Sequence, residues 1–166
     1  MAAHYSALDI ADWIIASVDR EAGDSITHLK LQKLLYYAQA WALCLLGRPL
    51  FEEDMQAWVH GPVAETVFRA YRRYGFEALP PPNRLAALAP EDEAHLLAVM
   101  EAYGDFSARR LEAMTHNEDP WRQARGDLAP DCASRAVIPK DHMKSFYAAL
   151  YARSADAEER LAAANR

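Results

Sequence analysis

Residues 27–46, THLKLQKLLYYAQAWALCLL, carry a run of apolar side chains at helical spacing. Large residues recur every three or four positions, which predicts a helix packed against other helices. Thr27 can cap the first turn, and Gly47 can take the left-handed conformation that ends a helix. Because apolar residues occupy most of its circumference, we expect this helix at the centre of the fold. The residues at this spacing are Leu31, Leu34, Leu35, Ala38, Trp41, Ala42 and Leu45.

The chain has 166 residues, which suits one domain with one hydrophobic core. Its formal net charge is −6, and a nucleic-acid binder usually shows a basic face instead. The acidic balance therefore disfavours nucleic acid and favours a soluble protein, with scope for a basic partner. Cys44 and Cys132 lie in no CxxC pattern, so we predict neither a disulfide framework nor a zinc site around them.

The expected cellular location depends on targeting signals, which the sequence does not show. His4, Asp9 and Asp12 stand where a signal peptide would carry basic residues before an apolar run. The apolar stretch at 34–46 is interrupted by Gln39 and is too short to span a membrane. We therefore expect a cytoplasmic protein with no membrane partner.

Capping and breaking residues predict the other helices. Ser6 can cap a first helix that should fade near 22–23. Pro62 and Gly75 should bound a third helix, and Pro90 should open a fourth. The inner face of that fourth helix is predicted to be Leu96, Leu97, Met100 and Tyr103.

The remaining helices are marked in the same way. A fifth helix is expected at Ser107–Thr115. Asp119 should cap a short sixth helix that ends near Gly126, and Pro139 should open the last one.

Two short strands complete the fold prediction. Residues 55–59 alternate in polarity, and a turn is expected at His60-Gly61-Pro62. A second strand is predicted at 136–138. The expected fold class is mainly α, a compact helical bundle around the helix at about 27–46 with a small β patch. Residues 1–152 should form one domain, followed by a frayed or partly helical tail at 153–166.

Three segments together resemble a known family. They are LQKLLYYAQ at 31–39, AWVHGPV at 57–63, and LEAMTH at 111–116 followed by Pro120 and Trp121. Their order and spacing resemble the Panacea domain, also called the SocA-like or phage-associated GepA-like antitoxin family. The motif residues expected to be structural are Leu31, Lys33, Leu34, Leu35, Gln39, Trp41, Trp58, Gly61, Pro62, Pro120 and Trp121.

The resemblance implies a bacterial or phage antitoxin whose partner is a small protein toxin, neutralised by direct contact. One branch of the family resembles a proteolytic adaptor, which delivers its toxin to an ATP-dependent protease. The sequence shows no nucleophile elbow and no glycine-rich phosphate loop, so we predict no enzyme activity and no cofactor.

Several residues are candidates for toxin binding. Tyr36 and Tyr37 are expected to be mainly core residues. Tyrosines also dominate many binding hot spots, and neighbouring helix positions point about 100° apart, so one of the two should reach a polar edge. An exposed His60 can contact a partner, and three arginines share one side of the third helix. The full set of candidates is Tyr36, Tyr37, His60, Arg69, Arg72, Arg73 and His116.

The histidines and carboxylates of the sequence are candidates for catalytic or metal sites. His116 with Glu118 and Asp119 does not have the spacing of a closed metal or acid–base site, which favours a role for His116 in bonding backbone at a helix corner. We therefore predict no catalytic, cofactor-binding or metal-binding residue. Convergence of His28 and His60 with His116 stays open at this point, as do the less favoured alternatives of a DNA-binding regulator and a hydrolase.

Overall fold

The helix α2, His28–Leu45, lies at the centre of the fold in a computed structural model that describes residues 5–166. Every residue from 31 to 40 is buried, and α2 packs against helices on several sides. Thr27 Oγ1 accepts the Lys30 amide at 3.4 Å, and Gly47 has a φ of 71°, so both predicted ends are confirmed. His4 lies outside the described residues.

Six further helices and three strands surround α2 within residues 5–166, so the predicted mainly α class with a small β patch is confirmed. The helices are α1 (Ala7–Ala16), α3 (Glu65–Tyr71), α4 (Pro90–Tyr103), α5 (Ala108–His116), α6 (Asp119–Arg125) and α7 (Lys140–Ala164). The strands are β1 (Met55–Trp58), β2 (Gly61–Ala64) and β3 (Val137–Ile138), which pair antiparallel in the order β2-β1-β3.

The β1–β2 hairpin corrects the prediction for Pro62. Trp58 pairs with Gly61, so the turn consists of the two residues Val59 and His60. Pro62 lies within β2 and does not open a helix, because α3 begins three residues later at Glu65. Proline is tolerated there because β2 is at the edge of the sheet, where its missing N–H breaks no ladder.

The helix α1 is shorter than predicted. Ser6 forms the expected capping box with Asp9, but α1 ends at Ala16 and not near 22–23. The Ser17 hydroxyl donates to the Ile14 carbonyl at 2.7 Å, and the Asp19 carboxylate accepts the Ala22 amide at 3.2 Å. Such side chains give the backbone partners outside a helix and so terminate it.

The buried face of α4 also differs from the prediction. Leu97 is 56% exposed, so its assignment to the inner face is wrong, whereas Val99 is buried. The reason is Asp92, which is fully buried and lies 2.5 Å from the Arg48 guanidinium. This ion pair directs the Asp92 side of the helix inward and leaves Leu97 in solvent.

The helix α6 has the predicted bounds, but Asp119 does not cap it. Asp119 is exposed and is the first residue of the helix, while Glu118 precedes it and makes no side-chain cap. The Glu118 carboxylate accepts hydrogen bonds from the Tyr37 hydroxyl at 2.6 Å and the Tyr147 hydroxyl at 3.0 Å. Glu118 therefore connects the helix corner to the core rather than to its own backbone.

The loop after α2 is fastened by the motif residue Gln39. Its Nε2 donates to the Phe51 carbonyl at 2.8 Å, and its Oε1 accepts the Leu50 amide at 2.8 Å. The side chain is buried, so these bonds satisfy polar groups that have left water. No helix among residues 5–166 is long and apolar enough to cross a membrane.

Truncation of the central helix tests its position. Leu35 is fully buried, so we expect Leu35→Ala to lower the free energy of unfolding by about 2–5 kcal/mol, measured by urea denaturation. The matched control is Leu97→Ala on the exposed face of α4, which should cost less than about 1 kcal/mol. Equal losses in the two variants would mean that α2 is peripheral.

Candidate partner-binding site

Lys33 joins the first two sequence motifs. Its side chain is fully buried, and its ammonium group donates to the Pro62 carbonyl at 3.0 Å. Gly61 lies directly over the lysine stem, since a Cβ at this position would stand 2.4 Å from Lys33 Cε. Gly61 also has a φ of 107°, which side chains disfavour. The close approach and the backbone conformation both require glycine.

The charge of Lys33 shapes the surrounding electrostatics. Burial lowers the pKa of the Lys33 ammonium to about 7, and the Glu112 carboxylate opposes this shift. Burial also lowers the pKa of His28 to about 4, and the positive charge of Lys33 adds to that effect. His28 is therefore a neutral ring at physiological pH.

Gln32 holds the far end of the hairpin. Its Oε1 accepts the Ala64 amide at 2.9 Å, and its Nε2 donates to the Ala64 carbonyl at 3.3 Å. Gln32 Nε2 also lies 3.0 Å from His28 Nε2. An amide nitrogen can only donate, so this histidine nitrogen accepts, which agrees with a neutral ring. One side chain of α2 thus satisfies both backbone groups of Ala64.

The third motif binds the backbone of β1. Trp121 Nε1 donates to the Trp58 carbonyl at 2.8 Å. Arg125, buried behind it, donates to the Ala57 carbonyl at 2.9 Å and to the Cys132 carbonyl at 2.5 Å. These bonds hold β1 and the loop that follows α6 together, so all three motifs converge on the hairpin.

Two predicted histidines come together around Glu112. Glu112 Oε1 is 2.9 Å from His60 Nδ1 and 4.0 Å from His116 Nε2. The His116 ring stacks on Trp121, with ring centroids 4.0 Å apart. Burial lowers the pKa of His116, while Glu112 acts against that shift. His116 Nε2 is buried and has no hydrogen-bond partner among the described residues. The ring is also hydrogen-bonded to the backbone of Val59, so His116 contacts both Trp121 and the hairpin turn.

A cavity of about 730 Å³ opens beside the hairpin. Its walls are largely apolar. They include Trp58, Val59, Val63, Phe68 and Phe76. The Phe68 ring packs on Trp58 at 4.8 Å and on His28 at 5.4 Å, so the aromatic wall is built from α2, the hairpin and α3. A cavity of this size with few polar groups is the usual form of a ligand or partner site.

Arginine side chains stand at the rim of this cavity. The Arg135 guanidinium lies 3.0 Å from Glu65 Oε1 and 5.1 Å from the Trp58 ring centroid. Arg69 binds the same carboxylate oxygen at 2.8 Å. Two guanidinium groups therefore share one carboxylate, which leaves this trio with a net positive charge.

The structure separates the predicted toxin-binding candidates into two groups. Tyr36 and Tyr37 are 1% and 0% exposed, so they belong to the core and are out of reach of a partner. Tyr37 does meet a polar group, but that group is Glu118 inside the protein. The other candidates, His60, Arg69, Arg72, Arg73 and His116, are exposed or half-buried on the surface.

Sequence reasoning missed several residues that build the site. Glu112 precedes His116 by four helical positions, and this spacing could have predicted their proximity. Phe76 and Arg135 gave no local signal, because only the fold brings them to one cavity. His28 and His60 line that cavity while His116 does not, and within residues 5–166 no group of three or more histidine, cysteine or acidic side chains is placed to hold a metal.

The contact between Gly61 and Lys33 can be tested by a double-mutant cycle. Gly61→Ala introduces strain of about 1–3 kcal/mol from the positive φ and adds a clash with Lys33 Cε. In a Lys33→Ala background the clash is gone, so Gly61→Ala should cost less by about 0.5–3 kcal/mol in urea denaturation.

The matched control for this cycle is Gly126→Ala. Gly126 also has a positive φ, 60°, but a Cβ there would meet nothing within 4 Å. Its cost should be the same with and without Lys33. Additive costs for Gly61→Ala and Lys33→Ala would show that the close approach is not a constraint.

The buried ammonium predicts a pH dependence of stability. Because the pKa of Lys33 is about 7 in the folded protein and near 10.5 when unfolded, the unfolded chain binds more protons between these values. The contribution of Lys33 to the free energy of unfolding should therefore rise with pH from about 7, by at most about 1.4 kcal/mol per pH unit.

This dependence is measured as the difference between the wild type and Lys33→Met in urea denaturation at several pH values from about 6 to 9. The free energy of unfolding of the wild type minus that of Lys33→Met should be flat below about pH 7 and rise above it. Lys30→Met is the control, because the Lys30 ammonium also donates to a carbonyl, that of Gly104, but is only half-buried. Parallel profiles for the wild type and Lys33→Met would contradict the account.

Comparisons with known proteins agree with this arrangement of motifs. The family model described as antitoxin SocA-like, Panacea domain, matches residues 31–122, more than half of the chain. Antitoxin SocA of Caulobacter vibrioides (strain NA1000 / CB15N) is 44% identical over 109 residues, which cover 58% of this chain and 58% of that protein. The chain thus spans little more than half the length of this curated relative. No solved structure matches it.

The matched segment runs from α2 into α6 and so contains Lys33, the β1–β2 hairpin, Glu112 and Trp121. These are the residues that the three sequence motifs contributed and that the fold brings into contact. The chain belongs to the family of SocA-like antitoxins defined by the Panacea domain.

Proposed function

We propose that this chain is an antitoxin that neutralises a cognate protein toxin by binding it directly. The observation that carries the proposal is family membership, supported by 44% identity over 109 residues to a curated antitoxin. The cognate toxin is expected to be the protein encoded by the neighbouring reading frame.

The distribution of the motif residues supports a binding role. The polar groups of the motif residues form hydrogen bonds within the protein, so the shared motifs maintain the fold. These residues are Gln32, Lys33, Gln39 and Trp121. Contacts with a toxin must then come from exposed groups outside this buried set. A standard interface of about 1,600 Å² requires more than one exposed segment.

The exposed candidates that remain lie in the hairpin turn and in or just after α3. His60 is at the tip of the hairpin, and Arg69 shares Glu65 with Arg135 at the cavity rim. Arg72 and Arg73 follow in the turn after α3. Together with the apolar walls of the cavity, these residues form the surface that we assign to the toxin.

The alternative is a proteolytic adaptor that delivers the toxin to an ATP-dependent protease. Both mechanisms require a complex, but they differ in the fate of the toxin. Masking leaves the half-life of the toxin unchanged, whereas delivery shortens it only when the protease is present. A pulse-chase of the toxin in cells with and without the protease separates the two.

We expect the chain to restore growth when it is co-expressed with the neighbouring protein and to co-purify with it. Growth on plates and affinity purification measure the two effects. Recovery of growth without a complex would contradict direct binding and would require an enzymatic or transcriptional mechanism instead.

A further inference from the structure

The cavity beside the hairpin carries an exposed aromatic ring at its edge. Phe76 is 94% exposed, and it stands at the cavity edge directly after Gly75, whose φ is 55°. It lines the same cavity as the half-buried rings of Trp58 and Phe68. A largely apolar cavity with an exposed ring at its edge offers a place for an apolar side chain of a partner.

The exposed charge around the cavity is positive although the chain as a whole carries −6. Arg135 and Arg69 are 68% and 67% exposed at their side chains, while the Glu65 that they share is only 28% exposed. Glu112 is likewise mostly covered, at 22%, and is paired with His60. A partner approaching this rim therefore meets guanidinium groups before it meets carboxylates.

One wall of the cavity lies outside the segment matched by the family model. Residues 133–135 line it, whereas the match ends at residue 122. This wall is held in place by Arg125, which donates to the Cys132 carbonyl. The cavity thus combines a wall from the shared domain with a wall from beyond the matched segment.

We propose that this cavity binds an acidic segment of the toxin that carries an aromatic or large aliphatic anchor side chain. The anchor packs between Phe76 and the Trp58–Phe68 wall, and its neighbouring carboxylates approach Arg69 and Arg135. This inference rests on the proposed function, because it assigns the site at which direct binding occurs. Buried anchors of this kind provide most of the energy of an interface, and the charges provide steering.

The proposed contact of the apolar anchor side chain is tested by blocking the cavity. Ala133 is exposed and lines it, so Ala133→Trp should fill the mouth, and Phe76→Ala should remove the exposed ring. Each should weaken binding of the neighbouring protein at least about tenfold in isothermal titration calorimetry. The matched controls are Ala129→Trp in the same loop, which does not line the cavity, and Leu97→Ala, another exposed apolar residue. Both controls should bind like the wild type.

The proposed contact between the carboxylates of the toxin and the arginine rim is tested by the salt dependence of binding. Arg69→Glu should weaken binding at about 0.05 M salt and approach the wild type at about 0.5 M, because exposed charges are screened there. The control is Arg109→Glu on α5, which is also exposed but takes no part in the ion pairs that Glu65 makes at the rim. Equal behaviour of Arg69→Glu and Arg109→Glu at low salt would overturn the acidic character of the bound segment.

A small anionic aromatic probe tests the cavity without the toxin. We expect 1-anilinonaphthalene-8-sulfonate to bind the folded wild type and Ala129→Trp, and not Ala133→Trp, by fluorescence titration. Circular dichroism and urea denaturation check that each variant is folded.

The outcomes separate this inference from the proposed function. If the wild type and Ala133→Trp bind the neighbouring protein equally while the probe is blocked, the toxin does not use the cavity, and direct binding still stands. If the wild type does not bind the neighbouring protein at all, both fail. Dimerisation of the wild type that Ala133→Trp abolishes, seen by light scattering, would overturn the assignment of a toxin segment in favour of a second copy of the chain.

Discussion

The fully buried amino group of Lys33 holds the central helix against the β hairpin. Burying its charged form costs several kcal/mol unless it is compensated. Here the compensation consists of the Pro62 carbonyl at 3.0 Å and the more distant Glu112 carboxylate. The hairpin must therefore cross the lysine stem closely, and that approach permits only glycine at position 61. The positions of β2, α5 and the cavity follow from this crossing.

The remaining motif residues fix the same hairpin from other directions. Gln32 binds both backbone groups of Ala64, and Trp121 and Arg125 bind carbonyl groups of β1. Backbone groups at the end of a small sheet would otherwise lack partners on burial. The family motifs thus build one frame, and the exposed aromatic and arginine side chains that surround it remain available for a partner. A domain arranged in this way can keep its frame while its rim varies.

The parts of the fold that could be predicted were those with local causes. The ends of α2 depend on Thr27 and Gly47, and its burial follows from its apolar circumference. Pro62 shows the limit, because a proline suits either a first helical turn or an edge strand, and the choice depends on pairing with Ala57. The inner face of α4 depends on Asp92 and Arg48, which are distant in sequence, so helical periodicity could not reveal it.

The candidate site was predictable only in part for the same reason. Surface positions such as His60 and Arg69 are exposed as expected, whereas Tyr36 and Tyr37, which are binding candidates although a mainly core position is favoured, lie in the core. The Tyr37 hydroxyl is bonded to Glu118 and the Tyr36 hydroxyl to the Tyr147 hydroxyl, and these internal partners let both rings remain in the core. Phe76 and Arg135 could not be predicted, because only the folded hairpin and the loop before β3 bring them to one cavity.

Native-state hydrogen exchange at the Ala64 amide tests the central claim most directly. This amide is bonded to the Gln32 side chain, so it reports whether the hairpin is fixed to α2. The account predicts that it exchanges only through global unfolding, with the same free energy as the slowest amides of α2. Exchange through a local opening far below the global free energy of unfolding would show that the hairpin moves independently of α2 and would contradict the account.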